Sequence, residues 1–274
     1  MKTICKALII LAAICSFAFA ADEGRAAFDR GVNAFGRGDH KEAIADFTQA
    51  IKINPNNAKA YNNRGSSYGN LGDHAKAIAD HTQAIKIDPN YAWAYFNRGM
   101  SYQSLDDHAK AIVDFTQAIK IDPSYVKAYN NRGVSYKKLD DHPKAIDDFT
   151  QAIKIDPNFA WAYNNRGRSY QNLGNHIMAI VDFTQVIRID PSSPRAYTFR
   201  GWSYGELGDY KKAIEDYTQA IKINPNDVMA YNNRSFSYAV LDDLEKATAD
   251  AKKACDLGDC KVSQGLRKKG LIRE

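Results

Sequence analysis

The chain has 274 residues, 45% of them hydrophobic and 25% charged, with a formal charge of +5. Such a balance excludes a disordered polymer. The positive excess is too small to argue for a nucleic-acid partner.

The first twenty residues read as an address. Lys2 and Lys6 open the segment, Ala7 to Phe19 is apolar apart from Ser16, and Ala18, Phe19, Ala20 gives the small-x-small pattern of a cleavage site. A signal peptide over 1–20, cleaved after Ala20, predicts a periplasmic or secreted protein. The apolar run falls short of the ~20 residues that a membrane span requires, and no later segment qualifies. Ile14 precedes Cys15 where a lipid-modified cysteine carries a small residue, which argues against lipidation.

Beyond the leader the chain is periodic. Arg-Gly recurs at Arg30, Arg64, Arg98, Arg132, Arg166 and Arg200 in steps of 34 residues, and Arg234 keeps the step before Ser235. Seven units result: 24–57, 58–91, 92–125, 126–159, 160–193, 194–227 and 228–261. Each predicts a helical hairpin. The first (A) helix carries Tyr, Gly and Tyr at positions 4, 8 and 11 of the unit, as in Tyr61, Gly65 and Tyr68. The second (B) helix carries Ala, an aromatic and Ala at positions 20, 24 and 27, as in Ala111, Phe115 and Ala118. These spacings place rings and small residues on facing stripes, with Gly65 facing Ala77. Leu71, Gly72 and Asp73 supply a helix stop and an N-cap. Asp88 and Pro89 end the B helix, and the proline suits the first turn of the next helix.

Period, hairpin and the pattern Y-x-x-R-G-x-x-Y, A-x-x-x-F, P resemble tetratricopeptide repeats over residues 24–261. The resemblance implies an all-α fold, a right-handed α-solenoid of stacked helix-turn-helix units, with A helices lining a concave groove. Departures are few: arginine stands at position 7 where the family usually has leucine, His81 replaces the aromatic, Ala34 a tyrosine and Asp259 the final proline. Each arginine is followed sixteen residues later by an aspartate, from Asp46 to Asp250, which predicts an ion pair tying the two helices of a unit.

Chemistry-bearing residues are copied along the array rather than assembled once. His40, His74, His108, His142 and His176 share position 17, but equivalent helices ~10 Å apart cannot bring them to one metal. Thr48, Thr82 and their equivalents recur likewise. No phosphate loop or redox motif appears, so no catalytic residue, metal or cofactor is expected.

Binding is the remaining reading. Asn62, Asn130, Asn164 and Asn232 at position 5, with Asn63, Asn97, Asn131, Asn165 and Asn233 at position 6, are expected to face the groove. An amide meets both N–H and C=O of an extended peptide, and the family resemblance implies an asparagine ladder of that kind. The competing reading is that duplication copied the amides without selection for binding. Trp93, Trp161, Trp202, Phe96, Phe199, Met100 and Phe236 are candidate anchors, or alternatively pack against neighbouring units. Lys59, Lys127, Lys137, Arg168 and Arg195 make the face basic, favouring an acidic segment or terminal carboxylate. The expected function is therefore a non-enzymatic scaffold for a protein or peptide. The alternative is an architectural subunit of a cell-envelope complex docking through its convex face or its ends.

Near the C-terminus Cys255 and Cys260 form a local disulfide in an oxidising compartment, or else Cys255 packs and Cys260 stays free. Residues 262–274 predict a capping helix and tail, Leu266 facing the array and Lys268, Lys269 and Arg273 outside.

Overall fold

The computed structural model describes residues 22–268. The predicted leader, Lys269 and Arg273 lie outside the described residues, as does the side chain of Leu266. The chain divides into two compact halves, residues 1–135 and 136–274.

In the first half α1 covers 22–36, followed by α2 (His40–Ile53), α3 (Ala58–Asn70), α4 (His74–Ile87), α5 (Ala92–Ser104) and α6 (His108–Ile121). α7 (Val126–Lys138) carries the boundary. The second half continues with α8 (His142–Ile155), α9 (Ala160–Asn172), α10 (His176–Ile189), α11 (Pro194–Glu206), α12 (Tyr210–Ile223), α13 (Val228–Val240), α14 (Leu244–Asp256) and α15 (Lys261–Lys268). Within the halves α3 packs on α4, α5 on α6, α9 on α10, α11 on α12 and α13 on α14, and each hairpin leans on its neighbour. No helix among the described residues is long and apolar enough to cross a membrane.

The turn inside each hairpin needs a left-handed residue. Gly72, Gly174 and Gly208 supply it, and Asp106, Asp140 and Asp242 adopt the same conformation in three units. The next residue caps the B helix: the carboxylate of Asp73 accepts from the Lys76 amide and that of Asp107 from Lys110. The prolines behave differently from expectation. Asp88 is extended, as the residue before proline must be, but α5 begins only at Ala92, so Pro89 belongs to the turn and not to the next helix.

The core is narrow and repeats. Phe47, Phe115, Phe149, Phe183 and Tyr217 at position 24 are fully buried among alanines. Glycine at position 8 meets this ring more closely than it meets alanine. A Cβ on Gly99 would lie 2.7 Å from Phe115, and one on Gly201 2.9 Å from Tyr217. In the last unit both partners change together: Ala251 replaces the ring, and Ser235 fits beside it and donates to the Ala247 carbonyl at 2.7 Å.

Arg64, Arg98, Arg166, Arg200 and Arg234 make the expected pairs in forked geometry, and Arg30 meets Asp46 through Nε alone at 3.1 Å. Arg64 Nε and Nη2 donate to Asp80 at 2.7 and 2.8 Å, and Arg166 does the same to Asp182 at 2.9 and 2.7 Å. Asp80 raises the Arg64 guanidinium above its usual range. A third contact is unforeseen. Arg64 Nη1 donates to Thr48 of the preceding unit at 3.1 Å, and Arg98, Arg132, Arg166, Arg200 and Arg234 repeat the bond to Thr82, Thr116, Thr150, Thr184 and Thr218. The hydroxyls of Thr48, Thr116, Thr150, Thr184 and Thr218 in turn donate to the carbonyl one helical turn back, as Thr48 does to Ile44. One side chain thus joins three helices. At the C-terminal end Cys255 and Cys260 are disulfide-bonded, and Val262 of α15 packs on Ala239, Ala247 and Ala251.

Candidate functional site

A helix advances ~100° per residue, so position 5 points a quarter turn from packing position 4 and meets the next unit. The expected display of these amides fails there. Asn62 is 4% exposed, and Asn130 and Asn232 are also buried. Asn62 Oδ1 lies 3.1 Å from His81 Nδ1 and accepts from Asn97 at 3.1 Å, and the Tyr91 hydroxyl bonds the same side chain. Because Oδ1 only accepts, His81 Nδ1 carries the proton. Burial lowers the His81 pKa to about 3, so the ring is neutral. Elsewhere Thr198 donates to Asp227, and Asn232 to Asp259, at 3.0 Å each. Position 5 therefore fastens the A helix to the loop that closes its own unit.

Position 6 leans toward the preceding unit. Asn165 is buried and accepts from Lys137 Nζ at 3.3 Å, and half-buried Asn97 also donates to Ser66. Asn63, Asn131, Asn164 and Asn233 are half-buried. Asn131 spends its amide on the Lys127 carbonyl at 2.8 Å. The amides are chiefly structural, a correction to the ladder expected from sequence.

What remains exposed is position 2 and part of position 9. Trp93 is 60% and Trp161 69% exposed, alternating with exposed Lys59, Lys127, Arg195 and Met229. Trp93 touches Tyr125, with ring centroids 5.8 Å apart. Trp161, Asn164, Asp190 and Arg195 border a cavity of about 220 Å³. At position 9 Met100, Arg168 and Phe236 are exposed, whereas Trp202 stands edge-on to His176 at 5.4 Å. Phe96 and Phe199, both half-buried, do not reach out as anchors. Phe96 packs on Phe115 and Tyr125, and Phe199 on Phe183 beneath the Arg168 guanidinium.

Position 12, which sequence reasoning passed over, decides whether adjacent A helices close on each other. Gln103 donates to the Asn131 carbonyl at 2.8 Å and to Ser135 at 2.7 Å, and Gln171 repeats this with Phe199 and Ser203. Where glycine stands instead, the gap stays open. Gly69 borders a cavity of about 250 Å³ with Phe96, Asn97 and Met100. Gly205 borders one of about 280 Å³ with Trp202, Tyr210 and Phe236. The signal was in the sequence: position 12 reads Gly69, Gln103, Lys137, Gln171, Gly205, Ala239 while positions 10 and 11 stay Ser and Tyr in the same units.

The histidines of position 17 stay apart, and among the described residues no three His, Cys, Asp or Glu side chains converge as a metal site.

The family model for the tetratricopeptide repeat matches residues 58–91, 92–125, 126–159, 160–193 and 194–227, and a second such model matches 216–249. A TPR repeat model matches 35–72. No curated protein matches the chain. Among solved structures it is similar to YrrB, described as a TPR protein with an unusual peptide-binding site, at 25% identity over 67% of this chain and 95% of that one, TM-score 0.59. It is also similar to MamA, at 27% identity over 59% of this chain and 94% of that one, TM-score 0.56. The C-terminal part of a TPR repeat-containing protein from Cytophaga hutchinsonii shares the fold at 20% identity, covering 87% of this chain and 99% of that one, TM-score 0.73. Built of helical hairpins that recur every 34 residues and matched over more than half its length, the chain belongs to the tetratricopeptide repeat family.

Proposed function

We propose that this protein is a non-enzymatic scaffold, exported from the cell, that holds an extended peptide or protein segment along its A helices. The observation that carries the reading is the exposure of Trp93 and Trp161, the latter bordering a cavity beside the free basic side chain of Arg195. Large aromatic and arginine side chains dominate interface energetics where they become buried, and solvent is a poor place for an indole. The similarity to YrrB, a protein described by its peptide-binding site, supports the same reading. Lys59, Lys127 and Arg195 favour an acidic segment over a basic one. The amides do less than the sequence suggested; the half-buried Asn164 and Asn233 still border cavities.

A second reading has one specific observation behind it. On α10 the exposed Ile177, Met178 and Val181 form an apolar strip. The units on either side place Lys144 and Lys212 where Met178 stands, paired to Asp141 and Asp209. That strip suits an architectural contact through the B helices. Affinity capture from a periplasmic extract separates the two. Trp93→Ala with Trp161→Ala abolishes capture under the first reading and leaves it intact under the second, while Ile177→Lys with Val181→Lys does the reverse.

A further inference from the structure

Resting on the scaffold reading, one region of the second half carries more detail. At two positions of the unit the cations have fixed acidic partners: the arginines of position 7 pair with aspartates, and Lys76, Lys110, Lys144, Lys212 and Lys246 with their N-cap carboxylates. Lys137 and Arg168 are held differently. Among the described residues neither has an acidic partner; the Lys137 ammonium meets only the neutral amide of Asn165, and the charges that face it are Arg168 and Lys138. The Arg168 guanidinium carbon lies over Phe199, 5.2 Å from the ring centroid. Two cations held together on a partly buried face, with nothing to neutralise them, complement an anion.

The second feature is the gap at Gly205. A Cβ there would meet nothing nearer than the Tyr217 hydroxyl at 4.0 Å, so packing does not require glycine. Its effect is to leave out the bridge that Gln171 makes one unit earlier. The cavity of about 280 Å³ has the rings of Trp202, Tyr210, Tyr217 and Phe236 as walls, with Glu206, Asn233 and Ser237 as its polar edges. A volume of ~150 Å³ already admits a benzene ring, so a bulky side chain fits against the rings. Glu206 on the rim disfavours a carboxylate at this point and separates the two sites by charge.

The sites lie two units apart on one face of the second half. Packed helices ~10 Å apart give ~20 Å, which an extended chain rising ~3.4 Å per residue covers in about six residues. We propose that the second half reads a two-part signal in an extended segment: a carboxylate between Lys137 and Arg168, and, about six residues away, a bulky apolar side chain between Trp202 and Phe236. The lowering of Lys137 to about 8 by burial and by Arg168 and Lys138 agrees with a site waiting for negative charge.

The test is selection of a phage-displayed random-peptide library on the full chain. Wild type enriches Asp or Glu spaced about six residues from Phe, Leu, Met or Trp. Lys137→Gln with Arg168→Gln loses the acidic preference and keeps the apolar one. Gly205→Gln closes the gap, loses the apolar preference and keeps the acidic one; Phe236→Ala gives the same loss should Gly205→Gln fold poorly. The best wild-type peptide binds each variant at least tenfold more weakly. Peptides enriched without that spacing, or variants with unchanged preferences, overturn the two-part signal and leave the scaffold reading standing. If no peptide is enriched, both fall.

Discussion

Arg166→Leu tests whether the three-helix joint holds the array. Asp182 is 0% exposed and receives both its hydrogen bonds from Arg166. Removing the guanidinium strands a buried carboxylate, a loss of about 3–5 kcal/mol, to which the lost bond to Thr150 adds ~1 kcal/mol. Asp182→Ala costs less, because the Arg166 side chain is 15% exposed and its charge can turn to water. Leucine at both places returns stability to within about 1–2 kcal/mol of wild type, since well-packed apolar side chains replace buried pairs at little cost. Burial already raises the Asp182 pKa, and Arg166 only partly offsets it. Between the unfolded and folded pKa values the native state binds the extra proton, so stability falls as pH rises through that window. The Arg166→Leu loss therefore shrinks as pH falls and the stranded Asp182 carboxylate takes up a proton. Urea unfolding followed by far-UV circular dichroism measures each difference. An Arg166→Leu cost below ~1 kcal/mol, or an Asp182→Ala cost equal to it, would refute the argument.

Two further outcomes follow from the packing. Gly99→Ala drives a Cβ to 2.7 Å from Phe115 and costs about 1–3 kcal/mol, whereas Gly69→Ala meets only Ala77 at 3.8 Å and gains about 0.5–1 kcal/mol. Thermal melts in which Gly99→Ala matches wild type would show that close ring contact is not what glycine serves. His81→Phe restores the aromatic and removes a residue whose pKa burial lowers to about 3. A histidine lowered in this way costs stability as pH falls below its unfolded value, by up to ~1.4 kcal/mol per pH unit. Wild type and His81→Phe then differ by about 1 kcal/mol near neutral pH and diverge in favour of the variant at about pH 5; parallel curves would place His81 in contact with water.

Unit length, hairpin boundaries and the arginine–aspartate pairs were legible because each is a local rule written again every 34 residues. The threonine bond was equally visible, sixteen residues before each arginine, but it joins neighbouring units and an argument confined to one hairpin overlooks it. The same confinement misplaced the asparagines. Positions 4, 8 and 11 show which side of an A helix meets its own B helix, yet they say nothing of the two flanks that meet A helices before and after. Asn62 lies on one flank and Asn97 on the other, where they bond each other at 3.1 Å. Neither faces the groove, because the exposed strip is narrower than a single helical hairpin implies.

Variation between the units separates framework from function more sharply than the recurring residues do. Ser235 and Ala251 change together, one filling the space that the other vacates, and such a pair asks for no explanation beyond packing. Trp161 has no compensating change: its ring is 69% exposed where Lys59 and Lys127 stand in other units. Gly205 likewise omits a bridge that Gln103 and Gln171 show the scaffold is able to build. Stability alone would favour a bridging glutamine and a solvated lysine at these places. That both departures border open cavities along the A helices, and that packing explains neither, is the physical reason to place recognition there.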